Sequence, residues 1–311
     1  MQKINSIKAS IYLSHLPNKL SFSPALAKNA PGISQVVGSI EQIEAQLQSY
    51  PSTQNIDWQK LFTTTREATE HTLEFCKQKH LSVISYFDAD YPARLRHLND
   101  SPWTLYVLGS LPQNQPTLSV VGSRTPDGYG QRLIYDILTQ LDASWNLQHD
   151  LQMVSGFARG IDALAHQRAC AMALKNFAVL GSGHAHLYPK HRDPLDNAIL
   201  DAGGGLLSEL PPHAPPTKWQ FPWRNRIIAA LADVLWVVQG QYTSGTRSTA
   251  VHALNLGRTV TSSPGEITNP LSQLPHQLIN DGAHLISNGA ELKQLLQANY
   301  RPPEPNPENP R

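Results

Sequence analysis

Only two cysteines, Cys76 and Cys170, occur in 311 residues, and their separation fits no disulfide framework, metal site or redox motif. They read as two reduced core thiols. No apolar run approaches the ~20 residues of a membrane helix. Lys3 and Lys8 are not followed by the apolar segment and cleavage pattern of a secretory signal. A cytoplasmic protein is expected. An excess of one charge is missing too: 25 Lys+Arg against 24 Asp+Glu leave a formal net charge of +1. A nucleic-acid site must then be a local basic patch, because a near-neutral chain does not coat polyanions nonspecifically. No strand-like run leads into GxGxxG with a later acid, which disfavours nicotinamide and flavin cofactors, and no GxxxxGK[ST] occurs, which disfavours a P-loop hydrolase. Internal repeats and heptads are also missing.

What is present suffices for one large α/β domain and a smaller companion, with 40% hydrophobic residues. Residues 1–80 read as a small helical domain, with Ile40, Ile43 and Leu47 at helical spacing and Leu61, Phe62, Leu73 and Phe75 in later segments. Pro17, Pro24, Pro31, Gly32, Gly38 and Pro51 punctuate it. From residue 81 to 298, short apolar strands alternate with helical stretches. Strands are expected at 118–121, 151–155, 177–180, 206–210, 234–238, 259–262 and 284–286. Helices are expected around Leu133–Leu141 spacing, at 162–174, 195–200, 226–231 and 248–256, and in a last segment ending near Asn299. Strands apolar on both faces and joined by crossover helices require a parallel sheet covered on both sides, so the fold class is α/β, an extended Rossmann-like, doubly wound, mainly parallel sheet. Residues 299–311, rich in Pro, Glu and Asn, are expected to be a disordered tail.

In such sheets ligands bind where the strands end. Two strand-to-helix junctions stand out there, Ser119-Val120-Val121-Gly122-Ser123-Arg124 and Met153-Val154-Ser155-Gly156-Phe157-Ala158-Arg159-Gly160-Ile161-Asp162. Each ends an apolar run in glycine plus a hydroxyl, sets an arginine beside it and opens a helix. Glycine allows close backbone approach, the first helical amides are unpaired donors, and arginine adds a forked cation, so a polyanion is the expected ligand. Further strand ends carry Gly181-Ser182-Gly183-His184, Ser208-Glu209, Gln239-Gly240 leading to Ser244-Gly245-Thr246, and Ser263-Pro264-Gly265.

Each candidate also has a plainer reading. Arg159 could pair with a surface acid, and Asp162 could favour the helix dipole instead of acting on a ligand. Ala165, Ala169 and Ala173 form a small-residue packing face. Residues 218–226, Lys-Trp-Gln-Phe-Pro-Trp-Arg-Asn-Arg, interleave three cations with three aromatics. That suits unpaired bases and phosphates, or a loop anchored on the core with arginines held by acids. His184, His186 and His191 lack a carboxylate or Cys partner in metal spacing, and no metal or cofactor is expected.

The chain resembles the DNA-processing protein A family, DprA or Smf, over residues 83–287. The resemblance rests on the GSR turn, SGFARGIDALAH, AVLGSG followed by Tyr188-Pro189, LLSELP, FPWRNRIIAAL, SGTRSTAVHALNLGR and Asp281-Gly282-Ala283. Asp90-Tyr91-Pro92, Leu95 and residues 102–109 resemble the family's lead-in. It implies a noncatalytic protein that binds single-stranded DNA, protects it and hands it to RecA recombinase during natural transformation, and that dimerises through the Rossmann domain. Carried over by motif, the DNA-binding residues are Gly122, Ser123, Arg124, Ser155, Gly156, Arg159, Gly160, Lys190, Arg224, Asn225, Arg226, Ser244 and Gly245. Departures lie at Gln239-Gly240, where the family usually has Glu-Ala, at Ser244-Gly245-Thr246 followed by Arg247, and in the 264–275 loop. The C-terminal winged helix that many members carry has no counterpart in this sequence. An alternative from a related Rossmann group is a phosphoribohydrolase acting on nucleoside monophosphates, with Glu209 or Asp162 as its carboxylate. Its PGGxGTxxE motif is missing.

Overall fold

Helical spacing near the start is realised as α1 (Gln2–His15), α2 (Ile40–Gln48) and α3 (Trp58–Gln78). Asp57 starts α3 by accepting the Lys60 N–H at 3.0 Å. Ala9, Tyr12 and Leu16 pack with Ile43 and Leu47. A second cluster, Ile11, Cys76, Leu81 and Tyr106, joins these helices to the edge of the sheet. The computed structural model describes residues 2–16, 39–48, 56–144, 151–190 and 194–300. The prolines and glycines at 17, 24, 31, 32, 38 and 51, His191, and the tail from residue 301 lie outside the described residues.

The sheet is ordered β1-β2-β6-β5-β4-β3-β7-β8-β9. β1 (Ser82–Ser85) and β2 (Thr104–Gly109) form an antiparallel extension that meets β6. The remainder is parallel. In chain order it runs β3 (Thr117–Val121), α4 (Gly128–Ser144), β4 (Gln152–Ser155), α5 (Ile161–Ala171), β5 (Asn176–Val179), α6 (Leu195–Asp201) and β6 (Gly205–Ser208). It continues through α7 (Gln220–Leu231), β7 (Val234–Val237), α8 (Gly245–Asn255), β8 (Thr259–Ser262), α9 (Gln273–Asn280), β9 (His284–Leu285) and α10 (Gly289–Asn299).

Alternation along the strands builds two cores. Leu118, Val120 and Trp236 face α4, α5 and α10, where Ile134, Ile137, Ala165 and Leu292 meet them. Val121, Leu235 and Val237 face α7 to α9, against Ile227, Ile228, Ala250 and Leu278. The fold is therefore the doubly wound α/β sheet that the apolar runs require. Two local expectations differ. The helix read at 226–231 starts at Gln220, since Pro222 is tolerated in a first helical turn. The 264–275 segment is not all loop: a 3-10 turn, Pro270–Ser272, runs into α9.

The chain winds from β3 outward through β4, β5 and β6, then α7 returns it to β7 on the other side of β3. That reversal opens a crevice between β3 and β7. Behind it, Arg94 Nη2 donates to both carboxylate oxygens of Asp233 at 2.9 and 2.7 Å, and Thr117 N–H adds a bond at 2.8 Å. Burial pushes the Asp233 carboxyl up, and Arg94 pulls against that shift.

Two predictions follow from these contacts. Arg94→Ala leaves a buried carboxylate uncompensated and is expected to cost about 3–5 kcal/mol in urea denaturation; an unchanged midpoint would contradict the assigned role. His15 meets Thr72 Oγ1 at 2.8 Å, and burial, with the charge of His213 adding, lowers it to about 4. Between that value and the unfolded value of about 6.5, the unfolded chain binds more protons, so stability falls as pH drops through this window. His15→Gln should flatten the decline in melting temperature between about pH 7 and pH 4.5.

Candidate functional site

The crevice holds a cleft of about 340 Å³. It is lined by the turn after β3 (Gly122, Ser123, Arg124), by the start of α7 (Phe221, Arg224, Asn225) and by the turn after β7 (Ser244, Gly245, Thr246). The first and second junctions sit side by side at their backbones. Ile161 N–H donates to the Ser123 carbonyl at 3.0 Å, and Ser123 N–H to the Gln239 carbonyl at 2.8 Å. Gly160 makes this approach possible: its φ is +77°, and a Cβ there would lie 2.3 Å from the Ser123 oxygen.

The helix starts around the cleft differ in how they are capped. At α4, Asp127 accepts the Gly130 N–H at 2.9 Å, the Gln239 amide at 2.9 Å and the Asn269 amide at 2.6 Å. The Gly130 bond is the main reason that its carboxyl is held below the usual range. At α5, Asp162 accepts the Ala158 N–H at 3.3 Å. Burial pushes this carboxyl up, opposed by Arg224, the Ala158 and Gly156 N–H groups and Arg124. Asp162 therefore holds the turn before its helix and also lines the cleft, while the helix start itself, with Gly160 as N-cap, has no side-chain cap. The Gly130 amide at α4 and the Ile161 amide at α5 are taken by the chain itself. α8 likewise has no side-chain cap on Ser244 and, unlike α5, no acid in its first turn.

The arginines divide by burial. Arg124 is exposed, with its guanidinium 5.6 Å from the centroid of Phe221. Tyr188 also packs on Phe221, its ring 5.6 Å from that of Phe221, and Lys190, two residues on, is exposed. Arg159 is exposed beside Gly160 and forms no ion pair among the described residues, but it does not line the cleft.

Arg226 contradicts its expected part in ligand binding. It is 3% exposed, and it donates to Glu209 at 2.7 and 2.6 Å and to Asp100 at 2.9 Å. Burial alone would lower its pKa, but the two carboxylates raise it. Helical periodicity turns this arginine inward, where an ion pair must compensate it. Arg224 lines the cleft but is only 4% exposed, with Nη1 donating to the Gly156 and Val179 carbonyls. Burial brings it down to about 10, with Asp162 raising and Arg124 further lowering it.

Ser155 is a second correction. Its hydroxyl, fully buried, donates to the Val120 carbonyl at 2.6 Å and so stitches β4 to β3. Gly156 is closed in as well, since a Cβ would lie 2.3 Å from Arg224 and 2.6 Å from Asp162. Asn225 lines the cleft and bonds Gly245 O at 3.2 Å and Ser248 Oγ at 2.9 Å, tying α7 to α8. His184 Nε2 donates to the Leu206 carbonyl at 3.2 Å. Glu209 clamps Arg226, so both carboxylates weighed for hydrolysis are engaged by the chain. Thr246 and Gln241 also line the cleft. Ser244-Gly245 was the available sequence signal for that turn.

Protein Smf of Escherichia coli is 36% identical over 240 residues, 77% of this chain and 63% of that protein. The chain thus spans a little under two thirds of that relative's length. DNA processing protein DprA of Streptococcus pneumoniae is 35% identical over 220 residues, 70% of this chain and 74% of that one. The solved structure of DprA from Streptococcus pneumoniae matches with a TM-score of 0.74 at 28% identity, over 96% of this chain and 98% of that chain. A structure of DNA processing protein A from Helicobacter pylori, described for its single-stranded DNA binding mode, matches at 0.61 and 23% identity, over 72% and 99% of the chains, which shows a shared fold. The family model for DNA recombination-mediator protein A matches residues 82–297, and the chain belongs to that family.

Proposed function

We propose that this chain binds single-stranded DNA in the cleft between β3 and β7, protects it, and passes it to RecA recombinase during DNA uptake and homologous recombination. It acts as a binding protein and not as an enzyme, in the cytoplasm and as a homodimer. One observation carries the reading: across a single cleft, the uncapped start of α8 faces Ser123 and an exposed Arg124 stacked on Phe221. A helix start and a forked cation suit a phosphate, and the exposed Tyr188 ring beside Phe221 suits an unpaired base. Arg159 and Lys190 supply exposed cations at the margin, while Arg224, Gly156 and Gly160 hold the floor. The names of the relatives, which speak of DNA processing and of recombination mediation, support the same reading.

Anisotropy titrations of labelled single-stranded and duplex oligonucleotides at two salt concentrations test it. Arg124→Ala should weaken single-strand binding by about 1–3 kcal/mol and flatten the salt slope by about one unit. Arg226→Ala should mainly lower stability, because it leaves Glu209 and Asp100 without their partner. Equal affinity for single strands and duplex, wild-type binding by Arg124→Ala, or release of free base from nucleoside monophosphates would each overturn the assignment.

A further inference from the structure

The turn that lines the cleft after β7 is flanked by two side chains that the cleft itself does not use. Tyr242 precedes Ser244-Gly245-Thr246 and stays 46% exposed. Arg247 follows that turn, is exposed, and sets its guanidinium 5.0 Å from the Tyr242 centroid. The position is electrostatically unusual. Arg247 lies in the first turn of α8, its N–H donating to the Ser244 carbonyl at 3.1 Å, at the helix end that repels cations. It forms no ion pair with a carboxylate among the described residues. A second feature points the same way: Arg224, 4% exposed and lining the cleft, has an Nε without a hydrogen-bond partner among the described residues, as does the Ser244 hydroxyl. An anion at this turn would meet the uncapped start of α8 and the charge of Arg247.

We propose that Tyr242, backed by Arg247, is a stacking platform for one nucleobase of a single strand whose adjacent phosphate lies at the Ser244-Gly245-Thr246 turn. This rests on the single-strand reading of the cleft. The guanidinium covers one face of the ring and leaves the exposed part to a base, while its charge also serves the flanking phosphate. Bases within a duplex are already stacked on each other and cannot use the platform. It therefore favours unpaired strands without reading sequence.

The test uses the full chain, an oligothymidylate and an abasic oligomer of equal length and charge, each followed by anisotropy. Tyr242→Ala should weaken oligothymidylate binding about tenfold, the order of one lost base stack, and leave abasic binding unchanged. Tyr242→Phe should bind as the wild type does. Arg247→Ala should weaken both ligands and flatten the salt slope by about one unit. Equal losses on both oligomers for Tyr242→Ala, or none on either, would overturn the platform alone, provided that Arg124→Ala still loses affinity. Failure of the wild-type chain to bind either oligomer would overturn the platform and the single-strand reading together. Thermal melts of the variants separate a folding defect from a binding one, and Tyr242→Phe keeps the proposal testable should Tyr242→Ala unfold.

Discussion

Two strand ends can be pressed together at their backbones only where one of them has no side chain, and residue 160 is that place. With a left-handed φ and a would-be Cβ 2.3 Å from the Ser123 oxygen, it accepts glycine alone without backbone movement. The consequence is the bond from Ile161 N–H to the Ser123 carbonyl. Because Ser123 N–H is held in turn by the Gln239 carbonyl, the first junction is fixed from both sides, and Arg124 is carried to the edge of the cleft. Gly181 contributes in the same way on the opposite wall: a Cβ there would lie 2.6 Å from the Phe221 ring, so the ring can settle low enough to sit under Arg124.

Charge at the site is sorted by burial more than by number. A buried guanidinium has to be compensated on the spot, and Arg94, Arg224 and Arg226 are compensated by Asp233, by backbone carbonyls beside Asp162, and by Glu209 with Asp100. These residues build the floor and add little net field above it. Arg124, Arg159, Lys190 and Arg247 remain exposed. A chain of net charge +1 can present a local basic rim in this way, since Asp162, Glu209 and Asp233 each face a buried guanidinium.

The parallel part of the fold was legible because strands covered on both faces must be continuously apolar, and 118–121, 234–238 and 259–262 read that way. The glycine-hydroxyl turns marked the rim for a related reason: close approach needs those residue types. The antiparallel lead-in was less legible, since β1 is partly exposed and nothing in its composition specifies that β2 runs against β6. In residues 218–226, cations interleaved with aromatics suggested a loop, whereas the segment enters a helix at Gln220. The helical period then turns Trp219 and Trp223 outward and Arg224 and Arg226 inward, which is why the second arginine left the candidate site. α9 was masked by Pro270 and Pro275, both of which occupy early positions where a missing N–H costs little.

Asp162 shows that one sequence pattern can serve two opposite ends. An acid in the first turn of a helix after a glycine turn stabilises the helix and simultaneously occupies the donors that an anion would want. Gln239 shows how a departure from a family pattern can be neutral for the cleft. Its carbonyl does what any residue's would, holding Ser123 N–H, while its side-chain amide donates to Asp127 at 2.9 Å. A carboxylate at that position would face the Asp127 carboxylate across the same distance; the amide replaces that repulsion with a hydrogen bond. Asp127 also holds Asn269, so the exchange belongs with the tether of the 264–269 segment, and Gln239 does not line the cleft. The change at 239 therefore bears on how that loop is anchored, whereas the ligand chemistry passes to the residues that follow it, from the Ser244 turn to Arg247.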